Sequence, residues 1–176
     1  MKYLILLFSC SFLLFQCSAD LEDAVVSPQQ LEFIGSGSGC VNFFVFKLNE
    51  DKNIGLTVTG IKDALELNQD LKTFDLATEQ HLMVNIDKWA NDMNTYCTDV
   101  VEAGTELLNS YESISGTVKV QIVEDSIIYS GANAFPELLY KIDVHLENIL
   151  LQDNSGEELS IPNEKFSDVL VGWFPG

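Results

Sequence analysis

Histidine is scarce in this chain of 176 residues, with two copies, and each stands out because its ordinary pKa lies nearest neutrality. His81 opens an alternating run of apolar and polar residues. His145 sits between Asp143 and Glu147, two positions from each. Side chains two apart on a strand share a face, so a strand here sets carboxylate, imidazole and carboxylate in one row. That row has the donors of a metal site, and a histidine beside carboxylates is also a general base. The same alternation is the pattern of an ordinary solvated strand face.

Two acidic turns offer oxygen ligands at short spacing: Asn49-Glu50-Asp51-Lys52-Asn53 and Asp153-Asn154-Ser155-Gly156-Glu157-Glu158. Calcium favours such hard donors, but neither turn has the EF-hand pattern, and Asn, Asp and Gly are also what tight turns require. No cofactor is expected, with Ca²⁺ the one ion kept open. The segment 126–136 reads as a long loop, in which Tyr129, Asn133 and Phe135 could recognise a ligand, rings stacking on sugars while the amide bonds their hydroxyls. Its apolar members would equally plug one end of a sheet.

Catalytic signatures are missing: GxSxG, HExxH and the P-loop do not occur. Carboxylate pairs of the glycosidase kind carry no information among 27 acidic residues. Gly35-Ser36-Gly37-Ser38-Gly39 reads as a flexible loop and not a phosphate cradle, because no Lys-Ser/Thr follows and the next segment reads as a strand.

Charge narrows the partners. Acidic residues outnumber basic ones 27 to 9, giving a net charge of −18, and every basic residue is lysine. Such a surface repels phosphate backbones, so nucleic acid is excluded as an expected partner. Without arginine there is no planar fork for bidentate clamping of carboxylate or phosphate.

The N-terminus reads as export machinery. Met1-Lys2 followed by an apolar run to Phe15 has the form of a secretory signal peptide, too short to span a bilayer comfortably. Two cleavage readings compete: Leu14-Phe15-Gln16-Cys17 as a lipobox that makes Cys17 the acylated first residue, or ordinary cleavage after Ala19. The run from the leader into Cys17-Ser18-Ala19-Asp20-Leu21-Glu22-Asp23 resembles the start of Bacteroidota-type surface lipoproteins. Over about the first 23 residues, that resemblance implies an outer-membrane lipoprotein held by a lipid on Cys17, with the acidic stretch associated with cell-surface display. The alternative is a freely secreted or periplasmic protein. The segments around Tyr96-Cys97 and Val171-Gly172-Trp173 resemble secreted bacterial proteins only loosely, and no activity is carried over.

Cys10 falls in the leader and Cys17 at the processing site, leaving Cys40 and Cys97 to pair as one disulfide in an oxidising compartment.

Positioning these groups falls to strands. Val41–Phe46 is almost continuously apolar and suits a strand buried on both faces, with Ile54–Thr59 as its hairpin partner. Leu82, Val84 and Ile86 alternate with polar residues, as do Val118, Val120 and Ile122, and again Tyr140, Ile142, Val144 and Leu146. Leu31–Ile34 is expected to open the first strand, residues 61–72 to form a short helix or an irregular edge, and Val169–Trp173 to close the chain. Residues 1–16 are assigned to the signal peptide, 17–30 to a tether, and 31–176 to a single domain. The expected fold is an all-β antiparallel sandwich, jelly-roll-like or a decorated immunoglobulin-like one, with one disulfide and little helix.

The expected function is a non-catalytic binding or accessory domain for a polysaccharide or protein ligand. A structural envelope protein is the alternative, and a carboxylate-based hydrolase comes third.

Overall fold

The computed structural model describes residues 31–93, 96–98, 105–129 and 137–173, with backbone only at 126–129 and 137–138. Eight strands form one antiparallel sheet: β1 (Ser38–Cys40), β2 (Phe44–Leu48), β3 (Ile54–Gly60), β4 (Lys72–Asp75), β5 (Leu82–Trp89), β6 (Leu107–Tyr129), β7 (Glu137–Gln152) and β8 (Glu158–Val171). The order across the sheet is β1-β2-β3-β5-β6-β7-β8, with β4 paired to β6 off this path. No helix among the described residues is long and apolar enough to cross a membrane.

The fold is therefore all-β and antiparallel, as the alternating runs require. Its strands belong to one continuous sheet, however, where a sandwich would divide them between two. The sheet curls until its ends meet. The Gly172 amide donates to the Val41 carbonyl at 2.6 Å, the Val41 amide to Trp173 at 2.6 Å, and the Ser167 amide to the Ser36 carbonyl at 3.0 Å.

Curling needs bends, and the backbone supplies them. In β6 the register slips on both sides of Ser115, and Gly116 has φ 127°, a conformation L side chains rarely adopt. A Cβ there would lie 2.7 Å from the Cα of Ile149 on β7, so the close approach also demands glycine. Asn148, at φ 52°, is the matching irregularity in β7. It returns Ile149 and Leu151 to the face that Leu146 occupies, and all three are fully buried.

The concave face is the core. Val45 on β2, Val58 on β3, Val84 and Ile86 on β5, and Val118 and Val120 on β6 are all fully buried there. Val84, Ile86, Val118 and Val120 are among the alternate residues that period-two reading assigns to one face. Truncating one of the larger members, such as Leu56 to Ala, costs about 2–5 kcal/mol by lost burial plus the cavity left behind.

The 61–81 connection between β3 and β5 forms turns and β4. Its chain starts as a helix would, the Leu65 amide donating to Ile61 at 3.0 Å, but Glu66 at φ 50° breaks the run at once. Leu65 and Leu67 plug the core while Leu71 stays 59% exposed. Leu31–Ile34 is not a strand; it approaches β2 through one backbone bond, from the Ile34 amide to the Leu48 carbonyl at 3.0 Å. The closing strand starts at Glu158, well before Val169.

Both-face burial of β2 has a specific cause. Its inner face meets the core, and its outer face is covered by a segment carrying Tyr96 and Cys97. The Tyr96 ring lies 5.2 Å from that of Phe46, 5.9 Å from Phe44 and 6.3 Å from Trp89. Its hydroxyl accepts from the Trp89 indole at 3.1 Å and donates to Asp87 at 3.3 Å. Gly55 leaves the slot this ring fills, since a Cβ there would overlap the phenol. The expected Cys40–Cys97 disulfide is formed, joining residues 57 apart in sequence.

Candidate functional site: a groove at the sheet closure

Where the sheet closes, β1 is three residues long and faces β8 of fourteen. Ser38 pairs with Phe46, after which the chain traced backwards leaves β2 and returns at the Ile34–Leu48 bond. Between these points residues 35–37 swing across to β8, where the Ser36 carbonyl takes the Ser167 amide. The gap left behind is an open groove of about 510 Å³, lined by residues 34–39 and 46–48 with Lys52, Cys97 and Trp173. That volume falls in the range of small-molecule sites.

The glycine-serine run is thus a strap and not a loose loop. Gly37 has φ 102°, and a Cβ there would lie 2.7 Å from the Phe166 ring. A Cβ on Gly39 would lie 2.7 Å from Val171 and 2.8 Å from the Phe44 carbonyl. These glycines stand where the strap presses on its neighbours, while Ser36 and Ser38 are exposed. Trp173 locks the strap from the other side, its indole N–H donating to the Gly39 carbonyl at 2.8 Å.

Two lysines contribute. Lys47 points inward from β2 and is 6% exposed; its ammonium pairs with Glu164 of β8 at 2.8 Å and lies 5.4 Å from the Phe166 ring centre. This ion pair ties the two margins of the sheet together. Lys52 sits exposed in the β2–β3 turn at φ 54°, its carbonyl accepting from the Met93 amide at 2.7 Å. Among the described residues, Lys47, Lys62, Lys119, Lys141 and Lys165 are ion-paired, whereas Lys52, Lys72 and Lys88 are not.

Among the described residues that line it there is no Asp, Glu or His. Cys97 is held as a disulfide. Its described lining offers backbone, hydroxyl, aromatic and ammonium groups, the kinds that orient a small polar ligand.

The row of Asp143, His145 and Glu147 does share the outer face of β7, and its neighbours occupy it. Glu147 pairs with Lys119 of β6 at 2.6 Å. Asp143 accepts the Asp168 amide at 2.8 Å, securing an irregularity of β8, and lies 3.8 Å from Lys165. His145 is in register with Lys119 on one side and Lys165 on the other. Among the described residues, no group of three or more His, Cys, Asp or Glu is placed to hold a metal. His81 lies exposed beside Glu79, which accepts its backbone amide at 2.8 Å.

The acidic turns put their oxygens to local use. Asn49 accepts the Ile54 amide at 2.9 Å and donates to Asn53 at 2.9 Å. Asp153 accepts from the Ser155 amide at 2.8 Å, the Ser155 hydroxyl at 2.7 Å, the Glu157 amide at 2.9 Å and the Asn109 amide group at 2.9 Å. The bonds from Asn109 and Ser155 hold its carboxyl well below the usual carboxylate range.

The expected loop at 126–136 is strand as far as Tyr129, where β6 continues in register with β7; Cys17, Asn133 and Phe135 lie outside the described residues, as does the side chain of Tyr129. Sequence reasoning missed Lys52, Trp173 and the two serines. One signal was present: glycine at every second position just before a strand cysteine, which marks a close crossing as well as it marks flexibility. Comparison with known proteins gives no match, whether to a family model, a curated protein or a solved structure.

Proposed function

We propose that this chain is an exported, lipid-anchored, non-catalytic binding protein that takes a saccharide-sized ligand in the groove at the sheet closure. The observation that carries the reading is the lining itself: among the described residues it is glycine backbone, two exposed serines, the aromatic side chains of Phe46 and Trp173, two lysines and no carboxylate. Aromatic walls with a few polar groups are the composition of sites that orient a small polar ligand. The leader and Cys17 support export and anchoring.

The test is a thermal-shift screen against soluble glycans, run on the wild type and on Ser38→Trp, which fills the groove from an exposed position. A glycan at 100 times its dissociation constant stabilises the folded state by about 2.7 kcal/mol. A shift that Ser38→Trp abolishes supports the reading; a shift the variant retains moves the site elsewhere. Mass spectrometry of the mature protein tests the anchor: a diacylglyceryl group on Cys17 is expected, and an unmodified chain beginning at Asp20 overturns it.

A further inference from the structure

The groove reverses the electrical character of the molecule, and this bears on what it selects. Several lysines elsewhere on the described surface are neutralised by carboxylates, as Lys119 is by Glu147 and Lys141 by Glu124, each at 2.6 Å. Within the groove Lys47 is satisfied by Glu164, which leaves the Lys52 ammonium, among the described residues, as the uncompensated charge at the rim. Its sequence neighbours Glu50 and Asp51 are exposed on the same turn but do not line the groove. A net charge of −18 repels anions at a distance, yet screening confines that repulsion to about 8 Å at physiological salt. Inside that range the nearest charge decides.

Resting on the binding reading above, we propose that the groove selects an acidic saccharide, its sugar ring against Trp173 and its carboxylate on Lys52. A peptide fits less well, because strand addition needs a free edge. The outer edge of β1 is obstructed: the Val41–Gly172 and Ser36–Ser167 bonds flank it, and the Gly39 carbonyl already accepts the Trp173 indole. Hydroxyl-rich ligands match what remains, the Ser36 and Ser38 hydroxyls and the strap's glycine backbone.

Uronate oligosaccharides and their methyl esters, which keep the skeleton and lose the charge, form the test pair, titrated calorimetrically into the purified protein. Lys52 is exposed, so its ion pair is open to solvent and gives about a two- to five-fold preference for the acid over the ester. Lys52→Gln is expected to bring the acid down to the ester's affinity and leave the ester unchanged, while Lys52→Arg keeps the preference. Equal binding of acid and ester, both blocked by Ser38→Trp, overturns the charge selection and leaves the binding reading standing. A preference that survives Lys52→Gln overturns the assignment to Lys52. Failure of both probes to bind, or binding indifferent to Ser38→Trp, overturns the groove reading and this inference with it.

Discussion

Replacing Cys40 with Ala and Cys97 with Ser together removes a cross-link between residues 57 apart. In the chain-entropy model a loop of that length restricts the unfolded state by about 4 kcal/mol. The native contacts of the arm are untouched by the change. Tyr96 keeps its ring contacts with Phe46 and Trp89 and its two hydrogen bonds. The loss should therefore appear in global stability, with the arm still docked in the folded state. For a chain of this size each kcal/mol moves the melting temperature by about 2–4 °C, so the double variant should melt about 8–16 °C lower. Thermal unfolding and urea titration measure the stability. Near-ultraviolet circular dichroism below the transition reports whether Tyr96 and Trp89 remain packed. A loss under about 1 kcal/mol would refute the loop-closure reasoning, because the unfolded chain would already be as restricted without the bond. A collapsed aromatic signal in an otherwise folded protein would show instead that the bond, and not the ring contacts, holds the arm.

The Lys47–Glu164 pair should behave as a buried ion pair: Glu164→Ala alone costs about 3 kcal/mol or more by stranding Lys47, whereas Lys47→Met with Glu164→Leu comes close to neutral in chemical denaturation. Asp153→Asn keeps one acceptor but turns an amide against that of Asn109. Since the native carboxyl is held below its usual value, its stabilisation is complete above about pH 4 and declines as pH falls through the native pKa. The gap between wild type and variant should therefore narrow in acid, and a constant gap would sink the assignment. Tyr96 and Tyr140 are both pushed upward, by burial first and then by nearby carboxylates at Asp87 and at Asp125 and Asp63 respectively. Their contribution is complete below the ordinary phenol value near 10 and falls as pH rises beyond it. Tyr140→Phe, which keeps the ring and deletes a buried hydroxyl without a hydrogen-bond partner, should flatten the alkaline loss measured in urea titrations.

What could be read from sequence was whatever a single strand carries within itself. The period-two runs of β5, β6 and β7 placed Val84, Val120 and Val144 in the core because alternation is set by backbone geometry alone. The disulfide followed from counting cysteines. The row of Asp143, His145 and Glu147 was visible for the same reason, but its occupation was not, because Lys119 and Lys165 arrive from neighbouring strands whose register is a property of the sheet. The early start of β8 was hidden by Pro162 and the polar run around it. Proline is tolerated in a strand at the margin of a sheet, a position only the tertiary arrangement defines. Residues 61–72 carried leucines compatible with a helix, and the positive φ at Glu66 settled the matter locally.

The groove belongs to a further level, since it is a consequence of closure. A sheet that begins with a three-residue strand and ends with one of fourteen cannot meet edge to edge along its length. Something must cross the mismatch, and that segment must have little side-chain bulk where it touches the last strand. Gly37 and Gly39 answer this requirement against Phe166 and Val171. The residues that alternate with them are free to be polar, and Ser36 and Ser38 are exposed. An inward lysine on β2 must find a carboxylate or stay unpaired in the core, and Glu164 supplies one across the same mismatch. The features that close the sheet thus also line the groove, and Ser38, Lys52 and the Trp173 ring remain to distinguish one ligand from another. Stability and binding should therefore separate by residue: substitution at Gly37, Gly39 or Glu164 lowers the melting temperature, whereas substitution at Ser38 or Lys52 changes affinity and leaves it in place.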